Sequence, residues 1–148
     1  VVMLFDTAAG ELSPALFNEL VVPQLTKLAH AFKGKLGYYS KMTGPDHLIA
    51  GLFTDGSFAG LGIDHRWELS NFLKSKKSGF VQGNFDQALL FADTTNFKKQ
   101  LAHYLKPLKE LTPKERVGWV CGLGHGVLPK TPEAHVRLLI DTVRETFS

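Results

Sequence analysis

The segment Trp119-Val-Cys-Gly-Leu-Gly-His-Gly-Val-Leu-Pro-Lys-Thr-Pro132 gathers the residue types best suited to chemistry. An apolar run breaks into glycines, presents the imidazole of His125, and re-enters a helix expected to be capped by Thr131 with Pro132 at its first position. A strand that ends this way delivers one polar side chain to the mouth of a pocket. Gly124 and Gly126 leave out the β-carbons on either side of His125, so that backbone and imidazole can both approach a ligand closely. For the segment taken alone, the alternative is a glycine-rich turn whose histidine faces solvent.

Other polar groups raise the same question. Asp64-His65-Arg66, followed by Trp67, sets ionisable side chains in a row at the end of a strand-like stretch. Successive residues there face different directions, so Asp64 is read as structural, holding loops by hydrogen bonds rather than forming a triad. Gln82-Gly-Asn-Phe-Asp86 alternates polar side chains. On a strand that places Gln82, Asn84 and Asp86 on one face, either to bind a ligand or to satisfy backbone groups of neighbouring loops. The six histidines, His30, His47, His65, His103, His125 and His135, show no short-spacing metal motif. Cys121 is the sole cysteine, which precludes an intrachain disulfide or a multi-cysteine metal site, and it is expected to behave as a buried apolar residue. No metal or cofactor is expected. Phosphate-loop, nucleophile-elbow and dinucleotide fingerprints are absent.

The elements that must position these groups follow from length and pattern. A chain of 148 residues with 44% apolar side chains supports one domain, or one piece of one. The net charge of +3 is spread thinly, and Lys74-Ser-Lys-Lys77, the tight basic cluster, reads as a solvated helix end, so no nucleic-acid partner is expected. No apolar run approaches the roughly 20 residues needed to span a bilayer, and no membrane association is expected. A lone cysteine suits a reducing compartment, and a cytoplasmic location is expected.

Val1-Val-Met-Leu-Phe-Asp6 reads as a buried strand with no cap or linker before it, so the chain is expected to start inside a fold. Ser13-Pro14 opens a helix carrying Leu16, Leu20, Leu25, Leu28 and Phe32, with a kink at Pro23 and an end at Gly34. Strands are expected at Leu36–Ser40, Leu61–Asp64, Gly79–Gly83 and Val117–Cys121, with an apolar stretch at Leu48–Phe53. Helices are expected around Leu69–Lys76, from Thr95 to Lys106 with a stop at Pro107, and from Pro132 onward with Val136, Leu139, Ile140, Val143 and Phe147 on one face. Short, glycine-ended strands alternating with helices imply a parallel α/β sheet of about five strands. Polar residues gather where the strands stop, as they do at the C-terminal face of an α/β barrel, and a full barrel needs eight strands and typically about 250 residues. The expected fold is therefore α/β, an incomplete barrel with helices outside.

Taken together, Leu4-Phe-Asp-Thr-Ala-Ala-Gly-Glu-Leu-Ser13, Gly62-Ile-Asp-His-Arg66, Val81-Gln-Gly-Asn-Phe-Asp86 and Gly122-Leu-Gly-His-Gly-Val-Leu-Pro-Lys-Thr-Pro132 resemble the uroporphyrinogen decarboxylase family. Their order and spacing are similar to its C-terminal part over essentially the whole chain. The resemblance implies residues 1–148 as a C-terminal portion of a single (β/α)8 TIM-type decarboxylase barrel, homodimeric when complete, which needs no cofactor. It implies a carboxy-lyase of haem biosynthesis that removes the acetate carboxyl groups of uroporphyrinogen III to give coproporphyrinogen III. Thr7 stands where the family has a hydroxyl that contacts substrate, and His125 where it has a histidine that contacts a substrate carboxylate. The sequence departs from the family at Gly122, usually asparagine, at Gln87, commonly proline, and at Ala8, where a bulkier residue is frequent.

The family's arginine-rich loop, its pyrrole-gathering aspartate and a substrate-contacting tyrosine belong to preceding strands outside these 148 residues. The resemblance therefore implies no catalytic acid here, no decarboxylation by this chain alone, and the N-terminal half of the barrel as its partner. Two alternatives stand beside it. One is the zinc-dependent corrinoid methyltransferase branch of the superfamily, whose thiolate chemistry requires cysteine and histidine ligands. The other is a non-catalytic half-barrel binding module.

Overall fold

In a computed structural model, described over residues 1–47, 56–76 and 78–148, five parallel strands form one sheet in the order of the chain. They are β1 (Val2–Asp6), β2 (Leu36–Ser40), β3 (Gly60–Gly62), β4 (Phe80–Phe85) and β5 (Trp119–Leu123). The described helices are α1 (Pro14–Leu16), α2 (Val22–Ala31), α3 (Leu69–Ser75), α4 (Thr94–Lys109), α5 (Pro113–Arg116) and α6 (Glu133–Phe147). Among the described residues, β1 and β5 each pair with one neighbour, so both outer edges of the sheet are open. The expected stretch Leu48–Phe53 lies outside the described residues.

The two faces of the sheet divide the labour. Register places Leu4, Tyr38, Leu61, Val81 and Trp119 in one row. Tyr38, Leu61 and Val81 are fully buried and join one core with Phe17, Phe97, Leu101 and Leu105. The opposite face is hollow. Met3, Gly37, Gly60 and Phe80 form one row across it, and Phe5, Tyr39, Gly62 and Gln82 the next. A β-carbon on Gly37 would stand 2.2 Å from the Met3 sulfur, and one on Gly60 would stand 2.3 Å from the Phe80 ring. Met3 and Phe80 thus lie across the glycines and fill the lower layer, while Tyr39 leans over Gly62 in the upper one.

Several elements differ from their sequence expectations for identifiable reasons. The first strand is not buried: as an edge strand it leaves Val2 70% and Phe5 68% exposed. The bend expected at Pro23 takes the form of a π turn at Phe17–Val21, just ahead of the residue that cannot donate a helical hydrogen bond. Pro107 does not stop α4, which continues to Lys109. The cost of its missing N–H falls in the last turn, where Leu105 and Leu108 are buried and hold the helix to the core. β5 starts two residues late because Gly118, at φ +80, turns the chain against Gly79 first. Thr131 does not cap the last helix: its hydroxyl donates to the Leu128 carbonyl at 2.6 Å, Pro132 takes the cap position, and α6 begins at Glu133.

Alternation also fails at Gly83, whose φ is +129, so Gln82, Asn84 and Asp86 do not share a face. Gln82 reaches the hollow side, Asn84 is buried and donates to the carbonyls of Asp64 and Trp67, and Asp86 caps the turn at Gln87–Phe91. A β-carbon on Gly83 would stand 2.4 Å from the Ile63 carbonyl oxygen, whereas one on Gly122 would meet its nearest neighbour at an ordinary 3.7 Å. Gly83→Ala is expected to cost roughly 2 kcal/mol or more and Gly122→Ala less than about 0.5 kcal/mol, as measured by urea denaturation of the two variants.

Candidate functional site

Thr7 and His125, one residue beyond β1 and two beyond β5, open on the same cleft on the hollow side of the sheet. Its volume is about 440 Å³, and Met3, Phe5, Ile63, Leu123 and Val127 give it apolar walls between which Gln82 supplies an amide. Thr7 is held in place by Asp6, whose carboxylate accepts the N–H groups of Ala8 and Ala9 at 3.1 and 2.8 Å and the Tyr38 hydroxyl at 2.9 Å. The threonine hydroxyl and the His125 imidazole have no hydrogen-bond partner among the described residues, so both are available to a ligand.

The turn before His125 is pinned from two sides. The Gly124 N–H donates to the Phe85 carbonyl at 2.7 Å, and its carbonyl accepts the Tyr39 hydroxyl at 2.8 Å. The missing β-carbon of Gly124 makes room for the protein, not for a ligand: an added one would stand 2.7 Å from the His65 amide nitrogen. Gly126 meets nothing within 4 Å and does leave open space beside the imidazole. Tyr39, which the sequence reading did not single out, therefore both lines the cleft and positions the histidine's turn. Burial, reinforced by the Asp64 charge, raises its pKa, so it remains a hydroxyl donor.

Asp64 is the buried hub behind this arrangement. Its carboxylate accepts the Met42 and Arg66 N–H groups at 2.8 and 2.9 Å and the Arg66 guanidinium at 2.6 Å, while its carbonyl accepts from Asn84 and Trp67. The sequence reading of Asp64 as a residue that holds loops together matches these bonds. Arg66 folds back on it, while His65 turns toward Asp86, 4.0 Å away. A smaller lobe of about 160 Å³ adjoins the main cleft at Tyr39 and His125, with Lys41, His65, Arg66 and Gln87 in its wall.

Among the described residues, no three histidine, cysteine, aspartate or glutamate side chains converge to hold a metal ion. Cys121 is only partly exposed, and burial pushes its thiol up to about 11. Among the described residues no helix is long and apolar enough to cross a membrane.

Parallel strands whose C-terminal ends share one cleft define this chain as part of an α/β barrel. The chain belongs to the uroporphyrinogen decarboxylase family, whose model, described as Uroporphyrinogen decarboxylase (URO-D), matches residues 1–146. Curated relatives named uroporphyrinogen decarboxylase include those of Xanthomonas oryzae pv. oryzae, 30% identical over 95% of this chain, and Thermus thermophilus, 30% identical over 98% of it. The chain spans 41% of the length of each of these relatives. A solved methyltransferase from Methanosarcina mazei superposes with a TM-score of 0.70 at 19% identity, covering 99% of this chain and 42% of that one. At that identity the likeness shows a shared fold.

Two measurements check the site's supports. Asp64→Ala strands the buried Met42 N–H and frees Arg66, and is expected to cost about 2 to 4 kcal/mol in urea denaturation. Cys121 has its folded-state pKa raised from 9.0 to about 11, so the stability it carries is complete below about pH 9 and is lost as pH rises through about 11. Denaturation midpoints of the parent are expected to fall between pH 9 and 11, and those of Cys121→Ala to fall less. Tyr38, buried, and Tyr104, partly buried, drive both proteins the same way at higher pH.

Proposed function

We propose that residues 1–148 form the C-terminal part of a uroporphyrinogen decarboxylase barrel and supply the wall and carboxylate contacts of its substrate cleft. The observation that carries this reading is the convergence of Thr7 and His125, from opposite edges of the sheet, on one apolar-walled cleft in a member of this family. A flexible tetrapyrrole presents apolar ring bodies and anionic arms, and the cleft answers both. Apolar side chains line the ring's space, while the Thr7 hydroxyl and the His125 imidazole are placed to donate to acetate or propionate oxygens. Decarboxylation at the acetate arms also needs an acid and groups that stabilise a cationic pyrrole, and the resemblance puts those in strands that precede this segment. The open edges at β1 and β5 are the natural seams for those strands, and the complete barrel is proposed to act as a homodimer in the cytoplasm.

The methyltransferase reading is weaker. Its thiolate–zinc chemistry calls for cysteine ligands, and this chain's one cysteine carries a thiol that burial disfavours from ionising.

The chain alone is expected to release no carbon dioxide from uroporphyrinogen, and coexpression with a segment supplying the preceding strands is expected to restore turnover. In the restored enzyme, His125→Ala is expected to lower kcat/KM by roughly five- to 150-fold, the equivalent of about 1 to 3 kcal/mol for a hydrogen bond to a charged group. Turnover by the isolated chain, or unchanged kinetics in His125→Ala, would overturn this assignment.

A further inference from the structure

The smaller lobe beside His125 is not used by the contacts above. Its wall includes Lys41, His65 and Arg66, and the one carboxylate among its lining residues is Asp64. That carboxylate is already engaged by Met42 and by both the backbone and the guanidinium of Arg66. Lys41 has no ion-pair partner among the described residues. Arg66 gives one guanidinium nitrogen to Asp64, its side chain stays 42% exposed, and its remaining N–H groups have no protein acceptor among the described residues. Surplus positive charge therefore faces a recess that opens off the main cleft.

The recess is also built to stay in place. The Lys41 N–H donates to the Asp6 carbonyl at 3.0 Å, and the next residue, Met42, is held at φ 65 with its N–H on Asp64. Gly10 packs so closely beneath this turn that a β-carbon there would stand 1.9 Å from the Lys41 carbonyl oxygen. Only the lysine side chain is left free to move. An ammonium on a fixed turn beside a guanidinium with spare donors is a ready acceptor site for a planar carboxylate.

We propose that this lobe is a second carboxylate subsite, in which Lys41 and Arg66 hold one acid arm of the ligand whose body fills the main cleft and whose other arm meets His125. The ligand's identity as a tetrapyrrole rests on the reading in the preceding subsection; the anion subsite rests on the lobe itself. The test is to titrate the chain with glutarate, a dicarboxylate without a ring, and separately with uroporphyrinogen under anaerobic conditions, following backbone amides by NMR. Glutarate is expected to give saturable shifts at Lys41, Arg66 and Gly124. Lys41→Gln is expected to weaken both probes by roughly fivefold or more, and Lys41→Arg to recover them to within about twofold. Lys74→Gln, in the last turn of α3, is expected to leave both unchanged. Glutarate binding that is the same in Lys41→Gln as in the parent overturns the subsite. Uroporphyrinogen bound equally by the parent and Lys41→Gln, but lost in His125→Ala, overturns the subsite and leaves the decarboxylase reading intact. Lys41-dependent glutarate binding without uroporphyrinogen binding, both in the chain alone and in the chain completed with the preceding strands, sustains the anion subsite and overturns that reading.

Discussion

The Asp64 carboxylate is the interaction on which the ligand-facing end of the sheet depends. Buried to 1% exposure, it ties the turn after β2 to the turn after β3, while the backbone of the same residue anchors Asn84 from β4 and, with the His65 amide that follows it, leaves room only for glycine at position 124 after β5. Four neighbouring strands thus have their loops referenced to one residue. A buried charge is costly unless its lone pairs are satisfied, so the loops that satisfy it cannot drift independently. Asp6 repeats the device at the edge strand, where it fixes the turn that carries Thr7 and accepts the Tyr38 hydroxyl. The Thr7 and His125 side chains that face the cleft are themselves only lightly constrained. Their backbones are held from behind by carboxylates that never reach it.

Much of this was legible from residue types alone. The β2 boundaries, the parallel order and the gathering of polar groups at strand ends follow from short glycine-ended apolar runs between helical periods, and the structure repeats them. Thr7 and His125 lie far apart in sequence, and the structure brings them to one cleft. What the sequence did not disclose depends on contacts between distant segments. Tyr39 looks like an ordinary strand tyrosine until Gly62 is seen lying beneath its ring and the Gly124 carbonyl at the end of its hydroxyl. The glycine at 124 looked as if it made space for a ligand, because nothing local shows that the His65 backbone already occupies that space. Likewise, Pro107 is a helix breaker by local rule, and the buried leucines of α4 override it.

The division of the sheet's two faces explains why sequence polarity was a poor guide to burial. Valine and phenylalanine occur on both sides, Val81 and Phe85 in the core and Val120 and Phe5 on the open face, so alternation carries little signal. One side packs under helices, and the other is an apolar surface left open to solvent, including Phe5 and Val120 at opposite ends of the sheet. Exposed apolar surface of this kind is costly to a chain standing alone and marks a place where something else is meant to lie.

The interior glycines carry this further. In a filled α/β barrel the inward side chains are the core, layer upon layer. Here Gly37, Gly60 and Gly62 supply no side chain of their own; Met3, Phe80 and Tyr39 lie across them, and a molecule bound in the cleft would pack on Met3 and Tyr39 as the next layer. Ligand and fold then draw on a common free energy: occupancy adds RT ln(1 + [L]/Kd) to the stability of the folded form. A molecule held in that cleft by the folded form alone would thereby raise the chain's melting temperature as its own concentration rises, with no contact needed beyond the cleft itself.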